Sequence, residues 1–362
     1  MQSGPRVLVF PAYDENPYLN LMQLVARTRA YRFLDAHTFE ELLSGIDVLA
    51  RGETVHVHWT TPIAQQAPTR DLAAARLTTL GAALDAARRR GVRLVWTVHN
   101  RLPHELPYPD IERSLYQHLS DRADIVHVMA PATADILSDI VRLDPSRVRM
   151  IPHPSYEGIY DSGAMSRALA RESFNLDDER AVLFLGQIRP YKGVRHLVEA
   201  VTRASDRPDA PDIALLLAGT VKEMSRTAFE SSLPSRPRTI AHLEFVPDSE
   251  VERWFLATDV AVFPYRAILN SGSVHLAASF RVPVILPDEP HLRQQFRDQE
   301  WVRYFDPSRP SDSIADLLAQ PDLFAGVSEA DFEAYLEPVT PWRVSRAYAA
   351  LLDELSGGSR SA

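Results

Sequence analysis

Residues 183–201 read LFLGQIRPYKGVRHLVEAV, and the fold turns on this stretch. An apolar run stops at Gly186, a short polar loop carries Arg189 and Lys192, and from Gly193 apolar residues recur at helical spacing. Strand, loop and helix in that order make half of a βαβ unit. Its loop falls at the carboxyl end of the strand, where open α/β sheets bind ligands. Two cations beside a helix N-terminus suit a diphosphate. The plainer alternative is a solvated loop whose charges do nothing. Of the 39 basic residues only Lys192 and Lys222 are lysines, so a lysine kept in this loop asks for a reason.

Working outward, the same alternation continues in both directions. Ala181–Leu185, Ile213–Ala218, His242–Phe245, Val260–Phe263 and Val284–Leu286 read as strands of one sheet. Upstream, Arg6–Phe10, Thr54–His58, Arg93–Val98, Asp124–Val128 and Val148–Ile151 read as strands of another, and Arg32–Ala36 is ambiguous. Spacings of roughly 15–40 residues fit crossovers rather than hairpins. Helical patterns cover Asp71–Arg90, Arg167–Phe174 and the segment from Pro341 to Leu355. The expected fold class is α/β with two doubly wound, Rossmann-like domains, linked between Pro152 and Asp178.

Composition narrows the function. The 362 residues are 45% hydrophobic and 24% charged, as in ordinary globular proteins, and at roughly 150 residues per domain they suit two domains. No apolar run reaches the ~18 residues of a membrane span, and the first ten residues do not read as a secretory signal. The absence of cysteine removes thiolate nucleophiles, disulfides and Cys-ligated metals. A net charge of −9 disfavours nucleic acid as a partner. There is no Gly-x-Gly-x-x-Gly, no P-loop, and no Asp-x-Asp pair to clamp a metal. His56 and His58 share a strand face without an obvious third ligand, so no metal is expected.

Further stretches sit where ligands bind in such sheets. Residues 259–285, DVAVFPYRAILNSGSVHLAASFRVPVI, run from a strand through Asn270, Ser271, Gly272 and Ser273 into a helix. Hydroxyls and backbone N–H groups at that helix start suit phosphate oxygens or simply cap the helix. His99 and Asn100 end the strand Arg93–Val98, and His58 and Trp59 end another, where an imidazole can orient a sugar hydroxyl and an indole can stack on a sugar ring or pack. His104 is the weaker histidine. The loop PAYDENPYLN holds Asp14 and Glu15, and HPSYEGIYD holds His153, Tyr156 and Glu157. A carboxylate in either loop can serve as general base, with surface solvation as the alternative. Arg88, Arg89 and Arg90 end a long amphipathic helix and either stay solvated or touch anionic lipid.

The run from Gly186 through Arg189 to Lys192-Gly193 resembles the Gly-x-x-x-x-x-Lys-Gly signature of GT-B glycosyltransferases of the GT4-like group (family 1/4). His99 in TVHN is similar to that group's N-domain histidine, and Ser271–Pro283 to its C-domain loop and helix. Pro341-Trp342 looks like the start of its C-terminal helix that crosses back to the first domain. The resemblance implies a GT-B fold with an interdomain cleft. An acceptor-side domain would span 1–160 plus helix 340–356, and a nucleotide-sugar-binding domain 175–335. It also implies a metal-independent hexosyltransferase (EC 2.4.1.-). Arg189 and Lys192 would neutralise the leaving diphosphate and His99 would orient the sugar. Gly186, Gly193, Gly219, Phe245, Val246 and Asn270–Ser273 would line the donor site, and His58, Trp59, Asn100, His153 and Tyr156 the acceptor side. The chain departs from the group at its Glu-x7-Glu pair, whose positions hold Ile268 and Leu276. Glu244 and Glu252 have the right spacing before the wrong strand. The Ser-Gly-Ser variant resembles bacterial mannosyltransferase-like sequences, favouring GDP-mannose, with a UDP-sugar next. The implied role is bacterial polysaccharide or glycoconjugate synthesis with a glycan or lipid-linked acceptor. The implied location is cytoplasmic, with or without peripheral contact at the inner face of the plasma membrane. The alternatives are a non-catalytic nucleotide-sugar-binding homologue or partner subunit and, further off, a nucleotide-sugar epimerase.

Overall fold

The computed structural model describes residues 4–13, 16–160, 163–208, 210–266 and 268–357. They fall into two compact units, one formed by the chain up to Pro154 together with the segment from Pro341 onward, the other by Ser155–Thr340. Each unit is built on a six-stranded sheet in which every paired strand runs parallel.

The first unit contains β1 (Arg6–Phe10), β2 (Arg32–Asp35), β3 (Thr54–Val57), β4 (Arg93–Val98), β5 (Ile125–Val128) and β6 (Val148–Met150), in the order β2-β1-β3-β4-β5-β6. The second contains β7 (Arg180–Leu185), β8 (Ile213–Ala218), β9 (Arg238–His242), β10 (Val260–Val262), β11 (Val284–Pro287) and β12 (Val302–Phe305), in the order β12-β11-β10-β7-β8-β9. Strand order reverses between β1 and β3 in the first sheet and between β7 and β10 in the second. These reversals open the crevices at the carboxyl edge in which doubly wound sheets bind ligands.

Central strands are buried on both faces, so they read as continuous apolar runs: Val7–Phe10 and all of β8 are essentially inaccessible. Each leucine of β8 contributes about 2 kcal/mol by leaving water. The edges read differently. The expected strand His242–Phe245 is in fact Arg238–His242, and Leu243–Pro247 is loop. At the sheet edge β9 (RTIAH) carries only two apolar residues and none that is fully buried, and its pairing with Ala214–Ala218 ends at His242, level with the turn at Gly219. Phe245 is left 63% exposed.

The C-terminal helix Pro341–Ser356 packs on helix Pro17–Thr28 within the first unit. Ser345 Oγ accepts from Val25 N at 2.7 Å and donates to the Met22 carbonyl at 3.0 Å. Asp353 takes Arg29 and the Tyr31 hydroxyl, and Glu354 takes Arg149. Among the described residues no helix is long and apolar enough to cross a membrane.

Candidate functional site

At the strand-order reversal of the second unit, the loop after β7 meets the loop after β10. Gly186 ends β7 at φ 139°, and a Cβ there would sit 3.4 Å from Lys192 Nζ, so the ammonium lies directly over this glycine. Pro190–Lys192 form a 3-10 turn, and helix Val194–Ser205 follows Gly193, which is in the left-handed region at φ 66°. A Cβ on Gly193 would collide with the Pro264 carbonyl. Only glycine lets the two loops come this close. Arg266 N donates to the Tyr191 carbonyl at 3.0 Å, tying the loops together. Lys192 Nζ stands 5.1 Å from the centre of the Tyr265 ring. Arg189 donates from Nε to Gln187 at 2.9 Å and pairs with Glu223, a residue in left-handed backbone.

Gly219 does for β8 what Gly186 does for β7: a side chain there would strike the Gly186 carbonyl. Ser271 occupies the N-cap position of helix Gly272–Ser279 without its side chain capping it, and Gly272 and Ser273 form the partly exposed first turn beside Asn270. Val246 is buried beneath the exposed Phe245. Leu276, one of the two positions where the acidic pair is missing, is buried. Beside Arg189 lies a cavity of about 310 Å³ lined by Gly193, Phe229 and Arg266 among others. A larger cavity of about 540 Å³ lies at the opposite, amino edge of this sheet, around Arg167, Arg171 and Arg180. Those guanidiniums are taken up by Asp259 and by backbone carbonyls, so its walls are structural.

Among the described residues, the reversal in the first unit is lined by aromatic rings and imidazoles. Tyr13, 42% exposed, lies after β1 with its ring 5.1 Å from Trp59, which follows β3. Trp59 stacks on His99 at 4.0 Å and 20°. His58 Nδ1 is 3.1 Å from His99 Nε2, so the two imidazoles share a proton. Tyr18 packs against His58, His99 and His153, and His153 donates from Nδ1 to the Pro154 carbonyl at 2.7 Å. One layer down, His56 lies 3.9 Å from His58 ring to ring, with Thr97 and His127 beside it. Burial holds all five imidazoles below their ordinary range, with His127 and His153 brought down to about 4. Behind the His58-Trp59 loop, the buried Glu112 accepts from Thr60 and from Gln65, and burial pushes its carboxyl up. Asn100 is partly exposed, and its carbonyl accepts from the Tyr116 hydroxyl at 3.2 Å.

The structure therefore brings His58, Trp59, His99, Asn100 and His153 to one edge of the first unit. It brings Gly186, Arg189, Lys192, Gly193 and Gly219 to one edge of the second. Tyr156 stands with the second unit, where its backbone N–H meets Ser279 Oγ and its ring lies against Tyr160; Glu157 pairs with Arg281. Asp14 and Glu15 lie outside the described residues. Sequence reasoning missed Tyr13, Tyr18, Thr97, His127 and Tyr348 in the first unit and Tyr265, Arg266 and Glu223 in the second. Among the described residues no three acidic or histidine side chains converge as metal ligands do.

Two parallel doubly wound units of this kind define a GT-B protein. The crystal structure of Anabaena HepE in complex with UDP superposes with a TM-score of 0.69 over 97% of this chain and 100% of that one, at 12% identity. Sucrose-phosphate synthase from Thermosynechococcus elongatus does so at 0.68 over 97% and 98%, with 16% identity. A family model described as Glycosyltransferase Family 4 matches residues 71–154, and one described as Glycosyl transferases group 1 matches residues 179–320. The chain belongs to the GT4-like glycosyltransferases. A GDP-mannose:glycolipid 4-beta-D-mannosyltransferase from Xanthomonas campestris is 27% identical over 79% of this chain and 75% of its own length. A D-inositol 3-phosphate glycosyltransferase from Mycobacteroides abscessus is 31% identical over 37% of this chain and 30% of its own.

Proposed function

We propose that this glycosyltransferase moves mannose from GDP-mannose to a hydroxyl of a glycan or glycolipid acceptor, without a metal ion. The observation that carries the reading is the cationic strand-order reversal of the second unit. There Lys192 Nζ stands over Gly186 at the end of β7, with Arg189 and the turn into helix Val194–Ser205 beside it. Positive charge at that place stabilises a diphosphate as it departs, the task a divalent cation has in other transferases. Gly186, Gly193 and Gly219 keep the backbone open to the diphosphate. Asn270–Ser273 offer it further donors, and Phe245 and Val246 stand where a base can lie.

On the first unit, His99 orients the transferred sugar, and His58, Trp59, Asn100 and His153 form the acceptor side. The acceptor oxygen attacks the anomeric carbon, the bond from that carbon to the diphosphate breaks, and GDP leaves with the electron pair. The similarity to the Xanthomonas mannosyltransferase supports GDP-mannose over a UDP-sugar. A transfer that inverts the anomeric centre needs a base for the acceptor proton, and Asp14 and Glu15, next to Tyr13 in sequence, are the candidates. The buried apolar Leu276 at a position of the missing acidic pair favours a second reading, a homologue that binds the donor without turning it over.

A thermal-shift screen against GDP, UDP, ADP and dTDP and their common sugar conjugates, with and without EDTA, tests the reading. Ligand at ~100 times Kd adds about 2.7 kcal/mol. The expected result is a shift with GDP and GDP-mannose that EDTA leaves unchanged. A shift with UDP-sugars alone overturns the donor, loss of the shift in EDTA overturns metal independence, and no shift overturns the site. Binding without release of GDP in the presence of glycolipid extracts selects the second reading.

A further inference from the structure

The first unit carries a second layer of polar groups beneath its histidine edge, and because burial keeps these rings neutral, its proton positions follow from the contacts. His56 and His58 share one face of β3 and the residue after it, Thr97 and His99 the same face at the end of β4, and His127 faces Thr97 across β4 and β5. His127 Nε2 lies 2.8 Å from the Ile151 carbonyl, which can only accept, so in the neutral ring the proton is on Nε2 and Nδ1 is the acceptor. Thr97 Oγ1, 2.9 Å from that Nδ1, must donate its single hydrogen there. It therefore accepts from His56 Nε2 at 2.7 Å. His56 Nδ1 is then the acceptor for the Tyr348 hydroxyl at 2.8 Å. A one-way chain runs from Tyr348 on the C-terminal helix through His56, Thr97 and His127 to Ile151. Every member is buried, satisfied and uncharged.

We propose that Thr97 and His56 are positioning residues for the transferase: the locked inner layer is a rigid floor that fixes the plane of His58 and, through it, the hydrogen bond that sets which nitrogen of His99 carries the proton. His56 has both ring nitrogens engaged and turns only its face to His58, 3.9 Å away and tilted by 32°. His58 cannot rotate toward it for a competing hydrogen bond, and its Nδ1 stays on His99 Nε2. Burial, which holds all five imidazoles below their usual range, keeps a second proton off the pair. The inference rests on the reading of His99 as part of the donor-sugar site, so its test needs an arm that does not depend on turnover.

That arm is long-range proton–nitrogen NMR of the full chain with labelled histidine at about pH 7, assigned residue by residue. The expected result is neutral rings, with the Nε2–H form at His56 and His127 and the Nδ1–H form at His153. In Thr97→Val the His58 and His99 nitrogen signals move, and in Thr97→Ser, which keeps the hydroxyl, they return. The second arm is release of GDP from GDP-mannose. Thr97→Val lowers kcat on the order of 10- to 100-fold with KM for GDP-mannose unchanged, and Thr97→Ser recovers it. An Nδ1–H or doubly protonated His56 or His127 in the unaltered protein overturns the floor. His58 and His99 signals, or kcat, unmoved by Thr97→Val overturn the positioning. If the unaltered protein releases no GDP, the GDP-mannose reading fails while the NMR arm still decides the relay.

Discussion

The two sheets place their functional groups by the same rule and fill the place with opposite chemistry. In the second unit the reversal of strand order is cationic and glycine-rich: Arg189, Lys192 and Arg266 stand on loops that only Gly193 allows to meet. In the first it is aromatic and rich in histidine among the described residues: Tyr13, Trp59, His58 and His99 stacked above an inner layer of satisfied polar groups. In the proposed function the cationic edge receives the diphosphate and the aromatic edge the sugar and its acceptor. Topology fixes where a site lies in such folds, and the loops decide what it takes.

The difference is broken most forcefully by acid. His127 and His153 are brought down to about 4 from an ordinary 6.5, and the other three imidazoles of the first unit shift the same way. Between pH 6.5 and 4 the unfolded chain binds protons that the folded chain refuses, so stability falls as pH falls through that window. At 1.36 kcal/mol per unit, His127 and His153 account for about 3 kcal/mol each. Glu112 works in the opposite direction, because its raised carboxyl gains a proton in the folded state first. The second unit carries no such cluster among its described residues. Hydrogen exchange followed by mass spectrometry across this window is expected to expose peptides of β3, β4 and β5 before those of β7 and β8. Simultaneous loss in both units would show that the histidine layers do not set the acid limit.

Next in size is Lys192→Ala. Removing one preorganised cation from a departing diphosphate costs about 10²–10³ in kcat. Lys192 is partly exposed and its main contact is the Tyr265 ring, so the thermal midpoint is expected to stay within a few degrees. Normal kcat in this variant would remove the anion site from the second unit and erase the contrast.

The contrast was unevenly legible in the sequence. Gly186 and Gly193 announce themselves because close loop approach and positive φ restrict a position to glycine, and Lys192 because the chain otherwise almost avoids lysine. Central strands were legible because double burial demands apolar runs. Three of the four edges were not: β6 is legible as Val148–Ile151, but β9 reads RTIAH and β12 reads VRYF, half-exposed patterns that an apolar scan displaces or overlooks, and β2 was ambiguous for the same reason. The inner histidine layer joins residues up to 292 positions apart, which no local pattern encodes. One signal for it was nevertheless there. Three adjacent buried strands each carry a polar residue inside an apolar run, His56, Thr97 and His127, and buried polar groups that recur across a sheet must be satisfying one another.

The smallest expected effect concerns a cation that is already occupied. Arg189 is paired with Glu223, so a diphosphate arriving at the second unit must draw the guanidinium from a carboxylate before gaining its charge. Glu223 is 41% exposed, and pairs of this exposure are worth roughly 0–1 kcal/mol. Glu223→Gln keeps the shape and removes the competing charge. It is expected to tighten GDP up to about fivefold, and the gain should shrink as salt is raised, because an exposed pair is screened. Isothermal titration at two ionic strengths reads both quantities. Unchanged affinity would mean that Arg189 serves the fold of the loop through Gln187 and Glu223, leaving Lys192 as the cation that distinguishes this edge from its aromatic counterpart. Weaker binding would go further and make Glu223 a support that holds Arg189 in the orientation the diphosphate needs.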